Sequence, residues 1–186
     1  MNKLIRNYVT DAINGLGELN FDSIELLARE IIYSRENCKS VFIAGNGGSA
    51  STSSHFATDL GVGSLSFKKN PMVQSLCDNN AVITATANDF GTDYIFSKQL
   101  ETIGCSDDLL ILISASGNSK NLLKALESAK SIGIRIFSLT GFDGGELKKL
   151  TFPNNIHIQT DLGKYGLVED MHLLVCHVIT ECIRGM

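Results

Sequence analysis

Two hydrophobic rhythms divide this chain. Ile5, Tyr8, Val9, Ile13 and Leu16, and then Ile24, Leu27, Ile31 and Ile32, recur mostly at spacings of three and four. That periodicity predicts two amphipathic helices on either side of a break near Asn20-Phe21-Asp22. A helical lead-in of this length is more than one sheet layer needs, and it offers a surface to bury against a second copy of the chain. From Ser40 onward the rhythm changes to short β-rich runs at Ser40–Ala44, Met72–Leu76, Leu109–Ser114, Arg135–Thr140 and Asn155–Gln159. Helical patterns lie between them at about Ser49–Leu60, Ala81–Ala87, Tyr94–Ile103, Ser119–Ile132 and Gly144–Leu150, and a last one spans about Leu167 to Ile183. Buried strands alternating with crossover helices specify a mainly parallel five-stranded sheet with helices on both faces, a three-layer α/β/α sandwich. No repeat or proline-rich linker interrupts the pattern. The expectation is one domain over residues 1–186, with 1–36 as an N-terminal helical segment.

Composition narrows the class of function. Charged residues make up 19% of the chain and the formal net charge is -4, which disfavours a nucleic-acid surface. The basic pairs Lys68-Lys69 and Lys148-Lys149 are too short to reverse that reading. Five cysteines, Cys38, Cys77, Cys105, Cys176 and Cys182, are scattered without a C-x-x-C pair. This argues against a disulfide framework or a thiolate zinc finger, and predicts reduced thiols, most of them buried. The N-terminus lacks the apolar core of a signal peptide, and no run of apolar residues is long enough to span a bilayer. A cytoplasmic protein with no membrane partner is the expectation.

In a parallel sheet of this kind ligands bind outside the carboxyl ends of the strands. Three distinctive loops are expected there: G-N-G-G-S after the first strand, S-A-S-G-N-S (Ser114 to Ser119) after the third, and T-G-F-D-G-G (Thr140 to Gly145) after the fourth. Glycine lets backbone amides approach an anion, and a helix N-terminus adds unpaired N–H donors and a favourable dipole. Serine hydroxyls at 49, 51, 114, 116 and 119 add donors without charge. Helix capping is the competing role for such serines. Two such loops at corresponding strand ends favour a phosphate monoester. Neither loop has the lysine of a nucleoside-triphosphate cradle or the spacing of a dinucleotide fingerprint.

Two helices carry titratable groups at helical spacing. His55 and Asp59 are four apart after the first loop, and the last helix reads L-V-E-D-M-H-L-L-V-C-H, with Glu169, Asp170, His172 and His177. An imidazole and a carboxylate from each helix suit a divalent ion or proton transfer near neutral pH. Periodicity alone aligns Asp170 with His177 better than Glu169.

Taken together, A-G-N-G-G-S-x(5)-H-F-A-x-D-L (Ala44 to Leu60), A-N-D-F-G (Ala87 to Gly91), I-S-A-S-G-N-S (Ile113 to Ser119), L-T-G-F-D-G-G (Leu139 to Gly145) and E-D-M-H-x(4)-H resemble the sugar isomerase (SIS) domain family. The two-histidine constellation resembles its heptose-phosphate branch most closely, over essentially the whole chain. The resemblance implies a flavodoxin-like sheet and interconversion of a ketose and an aldose phosphate through an enediol. The implied substrate is sedoheptulose 7-phosphate and the implied product D-glycero-D-manno-heptose 7-phosphate, a bacterial surface-polysaccharide precursor.

It implies sugar-phosphate contacts from Asn46, Gly47, Gly48 and Ser49, a phosphate grip from Ser114, Ala115, Ser116 and Ser119, and sugar contacts from Asn88, Asp89 and Glu169. It further implies a Zn²⁺ ion held by His55, Asp59, Glu169 and His177, acid–base roles for Asp59 and His177, and a homotetramer with sites at subunit boundaries. His172 is left to packing. The chain departs from the family pattern at three positions: Asp59 where glutamate is usual, Glu169 where glutamine is usual, and Gly166 where an acidic residue often contacts the sugar. Those departures leave open an isomerase of a different phosphosugar, and the shared loops leave open a non-catalytic sugar-phosphate-binding protein.

Overall fold

The computed structural model describes residues 1–62, 72–161 and 163–185; the Lys68-Lys69 pair lies outside them. Five strands, β1 (Ser40–Gly45), β2 (Met72–Ser75), β3 (Leu109–Ser114), β4 (Arg135–Phe142) and β5 (Asn155–Gln159), form one sheet in the order β2-β1-β3-β4-β5. Every pairing is parallel, with Ile43 beside Ile111 and Ile111 beside Phe137 across the centre. The order reverses between β1 and β3, which opens a crevice at their carboxyl ends.

Strand β3, L-L-I-L-I-S, is buried at every position, which accounts for its unbroken apolar run. Leu109, Ile111 and Ile113 face one layer with Val41, Ile43, Phe137, Leu139, Ile156 and Ile158. Helices α2 (Phe21–Glu36), α3 (Gly48–Gly61) and α8 (Tyr165–Arg184) cover that face through Leu27, Ile31, Phe56, Leu60, Val175 and Ile179. Leu110 and Leu112 face the opposite layer, where α5 (Ser97–Ile103), α6 (Lys120–Ile132) and α7 (Gly145–Thr151) contribute Leu100, Leu122, Leu126 and Leu147. Each fully buried Leu or Ile of this kind contributes about 1.5–3 kcal/mol of transfer free energy.

The predicted break near residue 20 is real. Helix α1 (Asn2–Gly17) ends there, and the Asn20 side chain accepts a hydrogen bond from the Ser23 amide to start α2. Helix α1 has no buried residue and leaves Leu4, Ile5, Val9 and Ile13 exposed. Its other side is tied to α8, where the Tyr8 hydroxyl donates to Asp170 at 2.6 Å and Lys164 pairs with Asp11 at 3.0 Å. The expected helix over 94–103 is divided into a 3-10 turn at Thr92–Tyr94 and α5. Helix α4 (Asn80–Phe90) projects from the sheet with only Thr86 buried.

The cysteines differ from expectation. None of the five forms a disulfide, but Cys38, Cys105 and Cys182 are exposed, Cys77 is half-buried and only Cys176 is fully buried. An apolar neighbourhood in sequence did not translate into burial, because Cys38 and Cys105 lie in loops at element ends and Cys182 turns outward from α8. Burial pushes the Cys176 thiol far up and keeps it an inert core group.

Candidate active site

The candidate phosphate cradle lies where β1 and β3 end. A pocket of about 330 Å³ is lined by Asn46, Gly47, Gly48, Ser49, Ile113, Ser114, Ala115, Ser116, Ser119, Tyr165 and Glu169. Gly47 has φ +56, a turn that a side chain would strain, and it brings the chain from β1 straight into α3. The competing role for the serines is not realised: neither α3 nor α6 has a side-chain cap at its N-terminus. Helix α3 thus begins at this crevice with its first-turn residues Gly48 and Ser49 in the lining, and α6 begins just after Ser119, beside four serines. Asn46 and Asn121 exchange reciprocal amide hydrogen bonds of 2.9 and 2.8 Å, tying the first loop to α6.

The third glycine loop does not line this pocket. It braces the serine loop from behind: the Gly141 amide donates to the Ala115 carbonyl at 3.0 Å and the Leu147 amide to the Gly117 carbonyl at 3.0 Å. The backbones approach so closely that a Cβ on Gly117 would fall 2.0 Å from the Gly144 carbonyl oxygen.

The titratable groups gather two turns further along the same two helices. His55 Nε2 lies 3.1 Å from His177 Nε2 and 3.4 Å from Asp59 Oδ2, and His177 Nε2 lies 3.7 Å from that oxygen. The rings meet edge-on with centroids 5.0 Å apart. A zinc ion bound at 2.0–2.1 Å sets its tetrahedral ligands about 3.4 Å apart, which is the spacing seen here. Two imidazole nitrogens facing each other can share only one proton, so a cation between them is chemically well matched. An ion held by these three groups would keep a fourth position for water or substrate, as catalytic zinc sites do.

Glu169 is not brought to this cluster: among the described residues the grouped set is His55, Asp59 and His177. Eight residues separate Glu169 from His177 on α8, about 12 Å of helix rise. The Glu169 carboxylate instead lies over the first loop, where a Cβ on Gly48 would meet it at 2.2 Å. Asp170, the better aligned residue by periodicity, is occupied with Tyr8. Asn88 and Asp89 are exposed at the end of α4, bonded to each other at 2.8 Å, and do not line the pocket. His172 is fully buried, and neither ring nitrogen has a hydrogen-bond partner. Tyr165 lines the pocket and was not anticipated; no motif marks it, although its place at the start of the last helix could have.

Comparison with known proteins bears on this geometry. A family profile described as the SIS domain matches residues 6–141. A phosphoheptose isomerase from Helicobacter pylori is 39% identical over 173 residues, covering 93% of this chain and 86% of that protein. The solved phosphoheptose isomerase of Neisseria gonorrhoeae superposes with a TM-score of 0.89 at 25% identity, covering 100% of this chain and 99% of that one. The Francisella tularensis phosphoheptose isomerase gives 0.86 at 28% identity, covering 100% and 96%.

Proposed function

The chain belongs to the SIS domain family, and from that premise we propose that it is a phosphoheptose isomerase converting sedoheptulose 7-phosphate into D-glycero-D-manno-heptose 7-phosphate. The observation that carries the reading is the coexistence, on α3 and α8, of a serine-lined pocket at the helix N-termini and a His–Asp–His cluster two turns away. One end holds a phosphate ester and the other handles protons on the carbon chain attached to it.

The phosphate rests on the first-turn amides of α3 and α6 and on Ser49, Ser114, Ser116 and Ser119, with Asn46 and Glu169 facing the sugar. Isomerisation removes a proton from C1 of the ketose while the C2 carbonyl oxygen gains one, giving an enediol. The C1 hydroxyl proton then leaves as C2 receives a proton, and the aldose forms without net oxidation. Asp59 and His177 are the acid–base groups, and His55 orients both through its Nε2. His55, Asp59 and His177 would hold a divalent ion such as Zn²⁺, which supplies Lewis-acid polarisation of a substrate oxygen when bound. A ligand bound to an ion does not at the same moment carry a proton, so holding the ion and moving the proton belong to different states of the site.

The His55 and His177 side chains are 47% and 49% exposed, more open than enediol chemistry tolerates. A homotetramer that buries this surface and the apolar stripe of α1 completes the site at subunit boundaries. The enzyme acts in the cytoplasm on a small phosphorylated sugar, as one domain with residues 1–36 serving assembly, and its product feeds surface-polysaccharide or lipopolysaccharide heptose.

The test is incubation with sedoheptulose 7-phosphate, with and without added Zn²⁺, following aldose formation by NMR. Turnover is expected. In His177→Ala it should fall by at least ~100-fold while phosphosugar binding persists. A folded protein that turns over no substrate under either condition overturns the reading.

A further inference from the structure

The sugar-facing wall of the pocket contains an aromatic residue that the phosphate grip and the proton-transfer cluster leave without a role. Tyr165 is the first residue of α8, lines the pocket beside Glu169, and keeps 52% of its surface exposed. Its ring is not loose. Phe142 meets it edge-on, with centroids 4.9 Å apart and planes at 90°.

Phe142 is itself an unusual support. It is 2% exposed, packs with Ala115 and Val168, and sits at φ +52, in the left-handed region that a bulky side chain seldom occupies. Such a conformation costs on the order of 1–3 kcal/mol and persists only where the surroundings impose it. Here they do. Gly141, just before it, is bonded through its amide to Ala115, and a Cβ there would collide with Val168. The strained residue therefore joins the phosphate loop, through Ala115, to the aromatic wall, through Tyr165. Gly166 follows Tyr165 and contributes no side chain, and its nearest foreign group is the Tyr8 hydroxyl, 3.2 Å from where a Cβ would be. Ile113 and Ala115, the other apolar residues of the lining, are buried, so the ring of Tyr165 is the large exposed apolar surface beside the hydroxyls, amides and carboxylate of the pocket.

We propose that Tyr165 determines specificity for the carbon chain of the substrate, its ring face packing against the C–H groups of the phosphosugar while Phe142 holds the ring at that angle. The inference rests on the phosphosugar reading above. A flat apolar surface beside polar groups orients a polyol by covering the edge that carries hydrogens on carbon and leaving the hydroxyl edge to Glu169 and Asn46. Phe142 is a positioning residue in this scheme and touches no substrate.

Calorimetric titration with sedoheptulose 7-phosphate and, separately, with inorganic phosphate tests it, together with steady-state kinetics. Tyr165→Ala should weaken phosphosugar binding and raise KM by about tenfold, the loss expected for one well-packed aromatic contact. Phosphate affinity and kcat at saturation should stay within about twofold of wild type, and Tyr165→Phe should match wild type in both titrations, since the ring and not the hydroxyl is the contact. Phe142→Leu should reproduce part of the KM increase, with no further loss when added to Tyr165→Ala. Unchanged phosphosugar affinity in Tyr165→Ala overturns the proposal, as does a parallel loss of phosphate affinity. Tyr165→Phe behaving like Tyr165→Ala overturns it too. Wild-type protein that binds phosphate but not the phosphosugar refutes the substrate reading instead, which keeps the two failures distinct.

Discussion

His172 is a buried imidazole without a hydrogen bond of normal geometry, the Thr140 backbone being its one weak partner. It is 0% exposed on α8, and burial pushes its pKa down to about 4, with nearby His157 acting in the same direction and the Thr140 backbone opposing. The native state therefore holds the ring neutral, whereas the unfolded chain protonates it near pH 6.5. Between those values the unfolded state binds more protons, so stability rises with pH across that window and is lost as pH falls from about 6.5 to about 4. The full effect is about 3 kcal/mol. His157, half-buried and also lowered by burial, adds a loss of the same sign and shares Thr140 as a neighbour. Urea unfolding between pH 7 and pH 4.5 should show a shallower loss of midpoint in His172→Leu than in wild type, with the His157 contribution remaining in both. Equal slopes would mean that the ring is already partnered in solution. The same residue shows what sequence could supply at this scale: E-D-M-H-x(4)-H marked a chemical helix, but not which of its side chains turn to the core.

The cradle depends on two close approaches of different kinds. At Gly48 the group in the way of a Cβ is the end of the Glu169 side chain, 2.2 Å off, which can swing aside. At Gly117 it is the Gly144 carbonyl oxygen, 2.0 Å off, in a backbone with φ +65. Gly48→Ala is expected to leave the melting temperature nearly unchanged, the helix gaining a better former as it loses a carboxylate contact. It should weaken phosphosugar binding by about tenfold, because Glu169 is expelled from the wall it forms. Gly117→Ala adds strain and a clash that does not relax, costing about 3 kcal/mol and on the order of 10 °C in calorimetry. Equal melting temperatures for the two variants would contradict the rigid brace between the loops. The elements themselves were legible in the sequence: all five strands start where β-rich runs start, and β3 is the clearest case, because a strand buried on both faces needs an unbroken apolar run. The division of labour among the loops was not. Whether a glycine-rich loop lines a pocket or supports its neighbour is set by contacts across the sheet, such as Leu147 to Gly117, that no local pattern encodes.

At the scale of the molecule, the surface that lacks a function in one chain is α1. Leu4, Ile5, Val9 and Ile13 are each more than half exposed, at 73%, 59%, 51% and 63%, while Tyr8 and Asp11 tie the helix to α8. An amphipathic helix that turns its apolar stripe outward is paired in water or is an aggregation hazard. The candidate proton-transfer cluster is half open in the same single chain. In the homotetramer proposed above, burial against further copies would cover both and so connect assembly to catalysis. Replacing Ile5 and Val9 with glutamate puts two charges on the stripe, each far too costly to bury unpaired. The double variant should sediment as smaller species than wild type at equal concentration, and its far-ultraviolet dichroism should be preserved because the Ile5 and Val9 side chains are exposed in their own chain. Its turnover should fall by at least ~10-fold, as water enters a site that chemistry requires closed. Inorganic phosphate, whose proposed donors all belong to one chain, should still bind. A monomeric variant with full turnover would show that the cluster works as an open site, and would separate the packing of α1 from the chemistry of α3 and α8.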